Sequence, residues 1–259
     1  MEPLLWAGAG TGFACCMTAL GAAVVLFVKQ GFHRNTQRLF LGFAAGVMIA
    51  ASVWSLLLPA IDRAQQAGRI GWIPAAGGFL LGIFFLMMLD STLPLVFTGR
   101  SRMEGGFYRT LLLVLAVTLH NIPEGMAIGL SFALAGQQQD PMLLASAMAL
   151  ALGIGIQNFP EGAAISLPLR QEGFSRLRAF CCGSLSGLVE LVFGMIAVWM
   201  APLLQPMMPW LLSFAAGTMI YVVVQELIPE ANLGERSFWG TFGVTLGFVL
   251  MMALDVALG

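Results

Sequence analysis

Eight apolar runs follow one another with only short polar loops between them, at about 4–28, 38–61, 72–97, 108–135, 142–168, 177–201, 208–230 and 237–258. A helical span of a bilayer needs roughly 20 residues, each rising about 1.5 Å. No water reaches the hydrocarbon layer, so every backbone N–H and C=O there must be paired within the protein, and runs of this length are held to helices. Of the 259 residues, 59% are hydrophobic and 10% charged, where a soluble domain carries about 25% charged. The expected fold is all-α: one polytopic transmembrane domain over residues 1–259, with eight helices. The first run opens at Leu4 with no basic segment or small-residue cleavage site, so it reads as a retained helix. A net charge of −1 says nothing about partners, but the lack of a basic stripe argues against nucleic acid.

Loop charge orients the chain. Lys29, Arg34 and Arg38 fall around the first loop, Arg100, Arg102 and Arg109 around the third, Arg170, Arg176 and Arg178 around the fifth, and Arg236 in the seventh. The even loops hold only Arg63 and Arg69. Ten basic residues against two place the odd loops in the cytoplasm and both termini outside.

An internal repeat is visible. Phe43–Ile49 (FAAGVMI) matches Phe214–Ile220 (FAAGTMI), and Gly78–Asp90 shares Gly, Leu, Gly, Met, Leu and Asp with Gly243–Asp255 at equal spacing. The adjacent pairs Cys15-Cys16 and Cys181-Cys182 put the first run opposite the sixth. These cysteines read as small buried hydrophobes rather than metal ligands. Helices 1–3 and 6–8 then form an inverted repeat around helices 4 and 5, an arrangement found in secondary transporters. The alternative is chance likeness among helices rich in Gly, Ala and Leu.

The chemistry lies in helices 4 and 5. Leu119-His120-Asn121-Ile122-Pro123-Glu124-Gly125 returns as Ile156-Gln157-Asn158-Phe159-Pro160-Glu161-Gly162. Residues i and i+4 share a helix face, which aligns His120 with Glu124 and Gln157 with Glu161, each flanked by an asparagine. Pro123 and Pro160 free the carbonyls of Leu119 and Ile156 and are expected to kink their helices. Glu190 sits in the middle of helix 6 with no Lys or Arg at similar depth in any run. An ionisable residue inside a membrane is expensive and points to function. Imidazole, carboxylate and amide oxygen together suit zinc and other divalent first-row metals. Binding is expected to be pH-sensitive, since these ligands must shed protons. Met48, one of 16 methionines, reads as packing. For Asp62, Asp90, Gln225, Glu226, Glu230 and Asp255, near the ends of runs, both simple solvation and a cation-attracting mouth stay open.

The paired His-Asn-x-Pro-Glu-Gly and Gln-Asn-x-Pro-Glu-Gly motifs resemble the ZIP (Zrt/Irt-like protein) family of divalent metal transporters, and most closely its compact prokaryotic GufA-like members. The resemblance implies a 3+2+3 bundle, often homodimeric, in the cell (inner) membrane. It implies import of zinc, and of metals such as cadmium, iron or manganese, by an elevator form of alternating access. The metal is then cargo, and no separate cofactor is expected. The resemblance also implies a binuclear site between helices 2, 4, 5 and 6. One ion would meet His120, Glu124, Gln157 and Glu161 with Met48 nearby. The other would meet Asn121, Glu124, Asn158, Glu161 and Glu190. Ser55, Asp62 and Asp255 would line the entrance, and Asp90, Gln225 and Glu226 the exit. Many members carry His where Gln157 and Gln225 stand, and a His-rich loop after helix 3 is absent here. His33 reads as a solvated loop residue. An intramembrane metalloprotease is disfavoured, with two histidines and no His-Glu-x-x-His. A sodium- or proton-coupled carrier of an organic solute, with the acids serving the coupling ion, lacks a substrate-shaped feature such as paired Gly-rich half-helices here, and a passive channel is a variant of the transport reading.

Overall fold

A computed structural model of the protein describes residues 3–27, 34–97, 105–232 and 237–258. Lys29, His33, Arg100, Arg102 and Arg236 lie outside the described residues. Within them the chain forms α1 (Pro3–Phe27), α2 (Arg34–Gln66), α3 (Trp72–Phe97), α4 (Gly105–Gln138), α5 (Pro141–Gln171), α6 (Arg176–Trp199), α7 (Ala201–Ala231) and α8 (Phe238–Leu258). Seven of these are long and apolar enough to cross a membrane. The eighth, α4, has 34 residues and carries the first motif. The described residues contain no strand, and the protein is a multi-pass helical bundle.

Local chemistry sets the turns. Between α4 and α5 the chain reverses at Gln139, which takes φ 51. Asp140 then caps α5 by accepting from the backbone N–H of Met142 at 2.8 Å, and Pro141 occupies the first turn. Gly173 takes φ 89 before α6, whose cap Ser175 accepts from the N–H of Arg178 at 3.3 Å.

Helix pairing follows the repeat. The most extensive contacts join α2 to α8, α1 to α5, α1 to α6, α4 to α6 and α3 to α7. Exchanging α1 with α6, α2 with α7, α3 with α8 and α4 with α5 turns the α1–α6 pair into itself and each of the other four into another of the four. The same exchange relates two π-helical turns, Ser52–Leu57 in α2 and Val223–Leu227 in α7. Each stands just before a proline, Pro59 or Pro229, which cannot supply the N–H a regular α-helix needs. The close contacts are duplicated too. Gly42 and Gly46 of α2 lie against the backbone of α8, while Ser213 and Gly217 take the corresponding places in α7 against α3. Small residues four apart let helix backbones approach where lipid tails give no hydrophobic drive to associate.

Two bodies result. One is α1, α4, α5 and α6; the other is α2, α3, α7 and α8. Between α2 and α5 runs an apolar groove lined by Phe40, Phe43, Phe159, Ala163, Ala164 and Leu167. A hydrogen bond crosses between the bodies elsewhere, from Arg63 Nη2 in α2 to Ser131 Oγ in α4 at 2.9 Å. The extent of the apolar run puts Arg63 in the second loop, but α2 continues to Gln66 and places it within the helix. Leu80, Leu81, Phe84 and Met88 of α3 face outward, a surface suited to hydrocarbon.

Candidate metal site

The duplicated motifs meet where α4 and α5 pack together, in the interior of the first body. Pro123 and Pro160 each lie inside a continuous helix. The motif glycines act on neighbours. A Cβ at Gly125 would strike the backbone of Glu190 in α6, and one at Gly162 the backbone of Thr18 and Ala22 in α1. Close approach at Gly125 brings α6 in, and Glu190 comes with it.

His120, Asn121, Glu124, Gln157, Asn158, Glu161 and Glu190 are all 0–1% exposed. His120, Glu124 and Glu161 each present one donor atom within 4.8 Å of the others. Nε2 of His120 lies 3.3 Å from Oε2 of Glu161, without the alignment of a hydrogen bond. Gln157 Nε2 donates to Glu124 Oε1 at 2.6 Å. Asn158 Nδ2 bridges both oxygens of Glu190, at 2.8 and 2.7 Å. Asn121 instead donates to the backbone carbonyl of Ser186 at 3.1 Å. The two motifs thus face each other, and Glu190 of α6 meets them through Asn158.

Among the described residues, eight polar atoms at this centre have no hydrogen-bond partner: both ring nitrogens of His120, Oδ1 of Asn121, Oε2 of Glu124, Oε1 of Gln157, Oδ1 of Asn158 and both oxygens of Glu161. A buried polar group left unpaired costs about 1–3 kcal/mol, and more when charged. Nearly all of these atoms bear lone pairs, and a ligand atom from each of His120, Glu124 and Glu161 lies within 4.8 Å of the others. Such an arrangement is suited to a cation and poorly suited to holding helices together.

The other expected residues are more dispersed. Met48 is buried in the apolar cluster that includes Ala163 and Ala164 of α5. Ser55 Oγ donates to Asp255 Oδ1 at 2.8 Å, and a Cβ on Gly153 of α5 would stand 3.6 Å from that oxygen. Asp62 is exposed. Asp90 accepts from the Tyr221 hydroxyl at 3.0 Å. Gln225 is exposed and Glu226 half-buried. Several participants had no sequence signal. Tyr221 is one of only two tyrosines. The Ala14 carbonyl brings α1 to the site, 3.4 Å from Asn158 Nδ2. Ser52 joins the repeat-related methionines, with Oγ 2.7 Å from the Met48 carbonyl and 2.9 Å from Met219 Sδ.

Residues 99–255 match the family described as ZIP Zinc transporter. The chain is 37% identical to Zinc transporter ZIP11 of Homo sapiens, with 96% of each chain covered. It is 37% identical to Zinc transporter GufA of Myxococcus xanthus, covering 93% of this chain and 94% of that one. Zinc transporter ZIPB of Bordetella bronchiseptica is 39% identical over 97% of this chain and 80% of its own length. A four-helix centre built from the two Pro-Glu-Gly motifs and kinship along nearly the whole chain lead to one conclusion: this protein belongs to the ZIP family of metal transporters.

Proposed function

We propose that the protein imports zinc and related divalent ions by alternating access, through a binuclear centre on α4, α5 and α6 with Met48 of α2 alongside. The observation that carries this is the set of eight orphaned polar atoms at a fully buried, carboxylate-rich point. Zinc takes nitrogen and oxygen ligands readily, and amide oxygens in place of thiolates keep it releasable. One ion sits among His120, Glu124, Gln157 and Glu161. The second sits among Asn121, Asn158 and Glu190, with Glu124 and Glu161 between the two.

The ligands other than Met48 all ride on α1, α4, α5 and α6, so the cargo travels as that body slides along α2, α3, α7 and α8. Small and aromatic apolar side chains in the α2–α5 groove offer no hydrogen bonds to break during the slide. With both termini outside, Ser55, Asp62 and Asp255 stand on the entry side, and Asp90, Gln225 and Glu226 on the cytoplasmic side. Purified protein in proteoliposomes should take up radioactive zinc with saturation. Flux that rises without limit with concentration would indicate a channel, and no flux would remove the reading.

Two further results are expected. Once the native cysteines are replaced, joining Arg63→Cys to Ser131→Cys with a short rigid thiol reagent should stop uptake, and a cleavable linker should restore it on cleavage. Uptake that continues while the bodies are joined would exclude the sliding motion. Separately, zinc affinity should weaken as pH falls, because imidazole and carboxylates bind metal only after losing protons. Titration calorimetry in buffers of different ionisation enthalpy reads that proton release directly.

A further inference from the structure

Three buried carboxylates sit at the centre, and each faces one side-chain nitrogen: Glu124 the amide of Gln157, Glu190 the amide of Asn158, and Glu161 the ring of His120. A carrier that performs net import makes two crossings per cycle, one loaded and one empty. During the loaded crossing the metal ions offset the carboxylates. During the empty crossing protons and the protein's own groups must take over, and a carboxylate left charged and buried without a partner is far costlier than a paired one.

We propose that the amides of Gln157 and Asn158 are the stand-ins for metal during the empty crossing, and that they release the carboxylates when metal arrives. This rests on the transport reading above. The geometry supports it in two ways. Asn158 Nδ2 lies at nearly equal distances, 2.8 and 2.7 Å, from the two oxygens of Glu190, the place a cation held by both oxygens takes. The other end of each amide, Oδ1 of Asn158 and Oε1 of Gln157, is buried without a partner. A neutral amide can donate to a carboxylate through its NH2 and, after turning about its last side-chain bond, offer its oxygen to a metal. It therefore serves the empty and filled site in turn. Asn121 differs: its NH2 is committed to the Ser186 carbonyl in α6, which leaves it a fixed oxygen donor.

The test separates the two crossings. Zinc-free proteoliposomes report net uptake, which needs the empty return. Vesicles with equal zinc on both sides report isotope exchange, which does not. The ratio of exchange to net uptake, taken within one preparation, is insensitive to the amount of folded protein. Gln157→Met loses the donor without adding a charge or a carboxyl that would itself donate when protonated, and Asn158→Leu does the same opposite Glu190. In both, the ratio should rise at least about tenfold over wild type, as expected when a hydrogen bond to a buried charge is lost in one crossing only. A wild-type ratio in either variant overturns the proposal. If the Gln157 variant does not give monodisperse protein, the Asn158 variant is read in its place with the same two outcomes. Wild-type protein showing neither uptake nor exchange would instead refute the transport reading itself.

Discussion

Glu124→Ala and Glu161→Ala should each reduce zinc uptake to that of protein-free vesicles. Glu161 leaves two buried oxygens and Glu124 one without a hydrogen-bond partner. Both contribute to the cluster in which three donor atoms lie within 4.8 Å, and both stand between the two proposed ions. Removing either carboxylate therefore weakens both sites together. Changing only a group that supports a metal ligand costs roughly 10–100-fold in affinity, so the loss of a shared ligand should exceed that range. Size-exclusion profiles should stay monodisperse, because the alanine lies in a helix and removes a costly buried acid. Uptake within about tenfold of wild type in both variants would place the ion path elsewhere. Asp62 gives the contrast: it is exposed, and Asp62→Ala should alter only apparent affinity, with an effect that fades as salt rises.

Gly125→Val and Gly162→Val should produce the largest structural losses. At Gly125 the new Cβ falls onto the Glu190 backbone, and at Gly162 onto that of Thr18 and Ala22. Neither obstacle is a flexible side chain, so α6 or α1 must retreat as a whole. Overpacking a tight interior costs about 1–3 kcal/mol even where side chains can yield, and these contacts belong at the upper end or beyond. A thermal-shift assay in detergent should show Tm lower by at least about 5 °C. Zinc binding should fall as well for Gly125→Val, since α6 carries Glu190. Gly12 provides the control. Nothing lies within 4 Å of a Cβ there, so Gly12→Ala should hold or raise Tm through its better helix propensity. Equal Tm values for all three variants would refute the packing argument.

The helices and the motif were legible because both depend on local rules. Apolar length defines a span, and a four-residue interval on a helix puts His120 beside Glu124. Partnerships between helices were much less legible. In a membrane bundle nearly every face is apolar, so the polarity contrast that orients a surface helix in water is absent. The repeat supplied what periodicity could not: matching Phe43–Ile49 to Phe214–Ile220 and Gly78–Asp90 to Gly243–Asp255 anticipates the exchange that relates the α2–α8 and α3–α7 contacts. Contacts governed by neither rule leave no trace in the sequence. Arg63 with Ser131 and Tyr221 with Asp90 join residues far apart in the chain, and neither pair belongs to a motif. The Ala14 carbonyl could not have been found by residue type, because its contribution is backbone.

The seven central side chains are almost wholly shielded from solvent. Cargo enclosed there would be hidden from an impermeant chelator added to the medium, however strong, until the protein next opens. The time such a scavenger takes to strip pre-loaded protein is therefore a stopwatch on opening, readable without any gradient, vesicle or dye inside it.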